Sequence, residues 1–591
     1  MASLRDKFVE ELQYLRRLGG IFARSNPGLE RFLGDSAVDP GVERLREGFA
    51  FLTAKLRLKI EDDFPELTQP LLQALDPSCL RPTPGMTIMR FAPMEGSLSA
   101  PQHLPQGTVV QSRPVHGVRC QFRTCTDVTL LPLTIESISD SHSQQESLIH
   151  LNLAAASGTS LHELDCDSLE FHLSCDEHTA LTLYCWLGRY LQQARLHHGE
   201  RVRDLPRPCI QFSGFSPGDA LLPQPAEKLD GYRILQEYFV YPARFHFFRV
   251  TGLRQAWPPA PCQRARLTLR FRHPMPPGTS IQTGDLSLFC TPAVNLLPDT
   301  AGPISLDNET ASVALAPASH ARGEPRDIFS VDAVSCSRRT VSREGIQPVQ
   351  AFRPYSAAAG RGGALANEAG VGFYVHHLEN QWVPEGVAHR LAFLHGDGTP
   401  YVAADEVAQV RLTCTQGALP LALRPGDICH PTGTTTRAAE FTNLTMPSPT
   451  YPPVLDGGVH WQWISNLSPN PLILDSTAAL ASFLRAYDIP GLHNLPLARA
   501  TQRKLDAMRS ITTVPVDRMF RDMPVRGSKS HLVLDPDGFG SEGEMYLFLN
   551  VLSHVMALFP STQSFHILSV STGPNQEPEE WPIRFGAQPV M

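Results

Sequence analysis

The chain lacks any Cys-x-x-Cys pair, and its 12 cysteines are scattered from Cys79 to Cys429. That spacing excludes a dense disulfide framework and points to reduced thiols in a cytoplasmic protein. No apolar run approaches the roughly 20 residues needed to cross a bilayer. The longest, Met545 to Phe559, contains Asn550, Ser553 and His554 and reads as a buried helix. A secretory leader is not expected, because Arg5, Asp6, Lys7 and Glu10 interrupt the region where its apolar core would lie. Positive charge is not in excess either. The formal net charge of −8 leaves no electrostatic footprint for nucleic acid or an anionic membrane. Arginines do cluster from Arg189 to Arg207, but Glu200 and Asp204 interrupt them, as on a solvated face.

Motifs that carry chemistry are also missing. There is no Walker A loop, no Gly-x-Gly-x-x-Gly and no His-Glu-x-x-His. Cys175 with His178, Cys429 with His430, and the pairs His197-His198 and His376-His377 have no further ligands at metal-site spacing, so neither metal nor cofactor is expected. Asp535, Asp537, Gly538 and Glu544 imitate part of an EF-hand, but Val533 stands where its first ligand belongs. Gly214-Phe-Ser216-Pro-Gly218 has the outline of a nucleophile elbow. Pro217 removes the amide that an oxyanion hole needs, and Pro223 and Pro225 oppose a following helix. A serine hydrolase using Ser216 is therefore the competing reading from another class, and no catalytic residue is assigned.

What the chain does have is length and proline. Its 591 residues suggest three to five domains at roughly 150 residues each. Its 52 prolines, roughly 9% against a usual ~5%, are spread without a period, which implies many turns and short strands. The organising stretch runs from Asp39 to Pro65. Val42, Leu45, Phe49, Leu52 and Leu56 recur at steps of three and four, which on a helix makes one narrow apolar seam. Asp39 and Pro40 mark its start and Pro65 its end. The seam packs either within its own chain or in a bundle shared with another subunit.

A first helix is expected from Ser3 to Ala23, with Leu4, Phe8, Leu12, Leu15 and Phe22 on one side, and a short third from Leu71 to Leu75. Strands are expected at Thr87–Phe91, Val128–Ile135, Ile149–Leu153, Phe245–Val250, Arg264–Arg272 and Val410–Cys414. Glu136–Gln145 reads as an exposed loop, Glu177–Leu196 as a helix, and Ala357–Gly370 as a flexible loop. Helix returns at Leu480–Tyr487 and Leu497–Met508, and a capping box at Ser541 and Glu544 opens a last helix that stops at Pro560. The fold class is α+β and multidomain. Its divisions are an N-terminal helical unit at 1–78, β-rich domains at 79–253 and 254–460 (the second wing-like), and a C-terminal α+β domain at 461–591.

Several strings then carry a family resemblance. Tyr14-Leu-Arg-Arg-Leu-Gly19 is followed by the run from Asp39 to Leu52, by Asp63-Phe-Pro-Glu-Leu-Thr68 and by Leu80-Arg-Pro-Thr-Pro-Gly-Met86. Leu104–Thr108, Cys120–Thr124, Gly231–Phe239, Cys290–Asn295, Leu412–Thr415, Trp461–Leu467 and Ile511–Arg518 continue it in order. Together they resemble the TssF family (ImpG/VasA) of type VI secretion baseplate subunits. Departures are Gln563, where asparagine is the usual residue, and Pro469 and Pro471 after the Trp461 segment.

The resemblance implies a structural, non-enzymatic subunit similar to contractile-phage baseplate wedge proteins. Two copies would pair with one TssG and join TssK and TssE in a wedge. Six wedges would surround the spike, and the platform would meet the membrane complex at the inner face of the cytoplasmic membrane without inserting into it. Neither nucleic acid nor cofactor is implied. Helices of the three TssF and TssG chains would form a shared bundle, giving Val42, Leu45, Phe49, Leu52 and Leu56 partners outside their own chain or on the first helix. A phage-like contractile tail is the alternative within this class.

Overall fold

The computed structural model describes the chain outside residues 1–3, 26–39, 62–64, 307–311, 339–349, 356–371 and 587–591 and a few shorter gaps (95, 99, 157, 165, 226–227, 259, 383–384, 404–405, 436–437, 469, 521–522 and 574–576). Several further side chains, including those of Leu4, Phe22 and Leu56, also fall outside the description. The expected helix cap Asp39, the expected loop Ala357–Gly370 and Pro469 lie outside the described residues.

Two long helices open the chain, α1 at Leu4–Ser25 and α2 at Pro40–Glu61. Helix α3 spans Pro65–Leu75 and so starts six residues before the expected Leu71. Pro65 suits the first helical position, and Pro70 sits inside, forfeiting one backbone bond. The later helices are α4 at Glu177–Cys185, α5 at Asp230–Val240, α6 at Gly457–Asn466, α7 at Thr477–Arg485, α8 at Leu495–Asp506 and α9 at Glu542–Met556.

Between them the chain is mostly antiparallel sheet. A six-stranded sheet runs Ile428–His430, Val109–Val115, Val118–Thr124, Cys290–Val294, Met86–Pro93, Ala439–Asn443, so it draws strands from both sides of residue 253. A five-stranded sheet centres on Arg264–Phe271, flanked by Leu191–His198 and Ser147–Ala155. In that central strand Ala265, Leu267, Leu269 and Phe271 are buried, and the arginines between them stay more accessible. A four-stranded sheet pairs Phe247–Thr251 with Ser168–Leu173. An eight-stranded sheet, called the wing for brevity, is built on Asp327–Arg338 and Glu406–Thr415, with the hairpin Phe373–Trp382/Glu385–Leu394 beyond them. Its own core includes Val334, Phe352, Leu391, Val410 and Leu412.

Three local expectations are corrected. Glu136–Gln145 is not a loop: Leu133–His142 is a strand paired with Ser147–Ala155, polar because it forms the sheet edge. Val128–Ile135 is two strands, Val128–Leu130 and the start of Leu133–His142, parted at Pro132. Glu177–Leu196 is helix only as far as Cys185. A π-helical turn, Trp186–Tyr190, then leads into the strand Leu191–His198, where Ala194, Leu196 and His198 alternate inward. Around these elements α9 forms the centre. The Ser541 hydroxyl accepts the Glu544 amide at 3.1 Å, and the Glu544 carboxylate takes the Gly540 amide at 2.7 Å. Gly543 lies so close to the Leu181 backbone of α4 that any side chain there would collide with it.

Buried polar locks fix how these parts meet. Asn295 and Gln416 join the six-stranded sheet to the wing: the Gln416 backbone N–H donates to Asn295 Oδ1 at 2.7 Å, and Asn295 Nδ2 donates to Gln416 Oε1 at 2.9 Å. Lys228 Nζ lies 2.9 Å from Asp76 Oδ2, with both side chains buried, tying the end of α3 to the approach to α5. Asp76 also caps the turn Pro77–Leu80 through the Ser78 amide. Substituting Lys228→Met leaves the Asp76 carboxylate buried and unpaired, and a loss of about 3–5 kcal/mol is expected in chemical denaturation. A variant as stable as the parent would contradict this role.

In the wing hairpin, His376 Nε2 and His389 Nδ1 are 3.0 Å apart. Burial holds His376 down at about 4 and His389 at about 3. The unfolded chain takes up protons on these rings near 6.5, whereas the folded chain does not until about 4. Protons therefore favour the unfolded state in that window, and stability should fall as pH drops from about 6.5 toward 4. Urea denaturation across this range should show that slope, and it should flatten in His376→Gln/His389→Gln. An unchanged slope would contradict a buried neutral pair.

Candidate partner interface

Helix α2 packs on α1, and its most buried side chains are two alanines. Ala50 and Ala54 are fully buried, and Arg16 of α1 donates through Nε to Glu43 Oε1 at 2.8 Å, while Arg46 also approaches Glu43. Small side chains let two helices approach closely, so this face consumes α2's contact with α1. The apolar seam lies on a different face. Leu45 is 75% exposed, Phe49 65% and Leu52 58%; Val42 is half-buried, and the Leu56 side chain is outside the described residues. The structure thus brings Leu45, Phe49 and Leu52 onto one exposed stripe and does not seat them on α1.

Two further stripes were not singled out by periodicity. On α1, Tyr14, Leu18 and Ile21 are exposed at the same four-then-three spacing as Leu45, Phe49 and Leu52. On α3, Leu67, Leu71 and Leu75 are exposed at steps of four. The opposite side of α3 is polar and buried. His460 Nε2 donates to the Val454 carbonyl at 2.8 Å, which leaves Nδ1 to accept the Thr68 hydroxyl at 3.0 Å. The Gln69 amide makes two bonds to the Leu378 backbone, at 2.9 and 3.0 Å, and Gln73 reaches the His376 carbonyl. With that side anchored on α6 and the wing, the leucines of α3 have to face outward. Signals for both stripes were present in the sequence: the one on α3 is hidden if Pro70 is read as a helix start.

The motifs weighed for catalysis resolve into turns. Exposed Ser216 caps the 3₁₀ turn Pro217–Asp219, with Asp219 returning a bond to the Ser216 amide at 3.2 Å, so the strand–turn–helix of a nucleophile elbow is absent there. Asp535 caps the turn Pro536–Gly538. Among the described residues, no group of three or more His, Cys, Asp or Glu side chains could hold a metal ion. Nor is any described helix long and apolar enough to cross a membrane.

The sequence pattern of the TssF family of the type VI secretion system matches residues 1–588. The type VI secretion system component TssF1 of Pseudomonas aeruginosa is 28% identical over 636 residues, covering 100% of this chain and 99% of that protein. Among solved structures, a chain of the TssK-TssF-TssG baseplate subcomplex, determined by cryo-electron microscopy, superposes with a TM-score of 0.77. That match covers 93% of this chain and 100% of the other at 24% identity. A chain of the type VI secretion baseplate complex superposes with a TM-score of 0.67 at 24% identity, covering 100% of each. These two likenesses speak for the fold, an α+β arrangement of helices and several sheets. Because the family pattern spans nearly every residue, the chain belongs to the TssF family of the type VI secretion system.

Proposed function

We propose that this chain is a structural, non-catalytic subunit of the type VI secretion baseplate wedge, two copies of it assembling with one TssG and with TssK and TssE. In this reading it works in the cytoplasm, at the inner face of the cytoplasmic membrane once assembled. The assembled wedges then face the spike and the membrane complex and serve as the platform for sheath and tube. Family membership supports the role, as does a fold shared with a chain from a complex of TssK, TssF and TssG.

The observation that carries it is the exposed seam. Leu45, Phe49 and Leu52 remain in water although α2 is already packed on α1. Covering each would contribute roughly 1–2 kcal/mol before the cost of association. A narrow stripe also suits a two-to-one complex, since the same residues must serve two inequivalent neighbours with modest repacking. Val42 and Leu56 extend the same seam at its two ends.

Phe49→Asp/Leu52→Asp tests the reading in cells co-expressing TssG. The substitutions fall on exposed positions, so helix content and melting temperature should stay close to the parent's, within about 0.5 kcal/mol. Co-purification of TssG should be abolished. An undiminished yield of complex from the folded variant would remove the seam from the interface.

A further inference from the structure

A cavity of about 900 Å³ opens between the segment Leu187–Pro217 and the C-terminal elements that carry Tyr546, His554 and Arg584. Phe212, Phe215, Tyr546 and the ring of His554 stand in its wall among aliphatic and small residues. Phe215 stacks on His554 with ring centroids 4.4 Å apart, and Phe212 packs on Tyr184 at 4.0 Å. Tyr546 closes against Gly188, where any side chain would displace its ring. Burial holds His554 at about 2, so its ring is neutral at physiological pH.

The charges on this cavity are of one sign. Arg207 and Arg584 line it, and no aspartate or glutamate does, in a chain whose acidic residues outnumber its Lys and Arg by 59 to 51. Arg584 donates through Nε to the Ser553 hydroxyl at 3.3 Å, and among the described residues no carboxylate pairs with its guanidinium. Burial lowers Arg584 to about 10, with Tyr184 the opposing influence. Glu542 and Glu579, on flanking elements, are already held by Arg189 at 2.6 and 2.9 Å. A half-buried guanidinium without a carboxylate is an unmet demand for an anion.

We propose that this cavity is a docking site for an extended acidic–aromatic segment of a partner protein, its carboxylate received by Arg584 and Arg207 and its ring by Phe212, Phe215 and Tyr546. Charge complementarity selects the carboxylate. The volume, at the upper end of what ligand pockets enclose, and the aromatic rings in its wall select a peptide over a small inorganic anion. None of its lining residues belongs to α2, so it stands apart from the seam.

The test uses the purified full chain and fluorescein-labelled peptides in anisotropy titrations. One peptide is Glu-Phe-Asp-Leu-Glu-Phe; its counterpart is the amide sequence Gln-Phe-Asn-Leu-Gln-Phe. The acidic peptide should saturate and the amide peptide should bind about tenfold weaker or worse, the scale of one charge-assisted bond. Arg584→Gln should weaken the acidic peptide by about the same factor, and Arg584→Lys should recover part of it. Arg207→Gln, at an exposed position that folding does not need, should also weaken it. Equal binding of both peptides, no binding of the acidic one, or binding unaffected by Arg207→Gln would overturn the proposal. Complete displacement by millimolar inorganic phosphate would overturn it too, marking a small-anion site instead.

Discussion

A buried polar group must find a partner, and on α3 that requirement sets the geometry of the whole N-terminal end. Thr68 and Gln69 on α3 and Asp76 just past its end are all buried, and each is answered by a group far away in sequence: His460, the Leu378 backbone and Lys228. Rotating α3 about its axis would strand these groups at once, at a cost of about 1–3 kcal/mol apiece or more for the charge. The helix therefore has one orientation, and that orientation turns Leu67, Leu71 and Leu75 to solvent. Specificity of placement comes here from hydrogen bonds, while the apolar residues are left for contacts outside the chain.

The same separation of roles is visible on α2. Its intramolecular contact is made by alanines and an ion pair, which bury little apolar surface, and its large apolar side chains are kept out of that contact. A monomer built for stability alone would place Leu45, Phe49 and Leu52 inward. Their exposure is affordable because the remainder of the chain has a continuous core, from Phe91 and Phe122 through Tyr184 to α9, that does not depend on the two N-terminal helices.

Much of this was legible in the residues. The periods of α1 and α2, the long apolar run and Ser541 cap of α9, and the alternating strand at Arg264–Phe271 all follow from local pattern. Local pattern failed where the deciding partner is distant. Glu136–Gln145 looks like a loop because it is polar, and only pairing with Ser147–Ala155 makes its first seven residues, to His142, strand. Leu187 and Leu191 continue a helical period, yet Arg264–Phe271 recruits the residues after Tyr190 into a sheet. The six-stranded sheet collects strands from residue 86 to residue 443, which no segmentation by composition would foresee. The candidate interface was half visible: a narrow apolar row reads the same whether it faces inward or outward. What separates the two outcomes is the small-residue face beside it, Ala50 and Ala54, which takes the contact with α1 instead.

The wing is held at two separated places, at its base by Asn295 with Gln416 and at its hairpin by Gln69 with the Leu378 backbone. A plate fixed at one edge bends like a cantilever, whereas one fixed at two points behaves as a strut. Load on the outer strands therefore has two routes into the rest of the chain, one through the six-stranded sheet and one through α3. A twist of the wing about its base is thereby opposed at its far end by the hydrogen bonds of a single glutamine, Gln69.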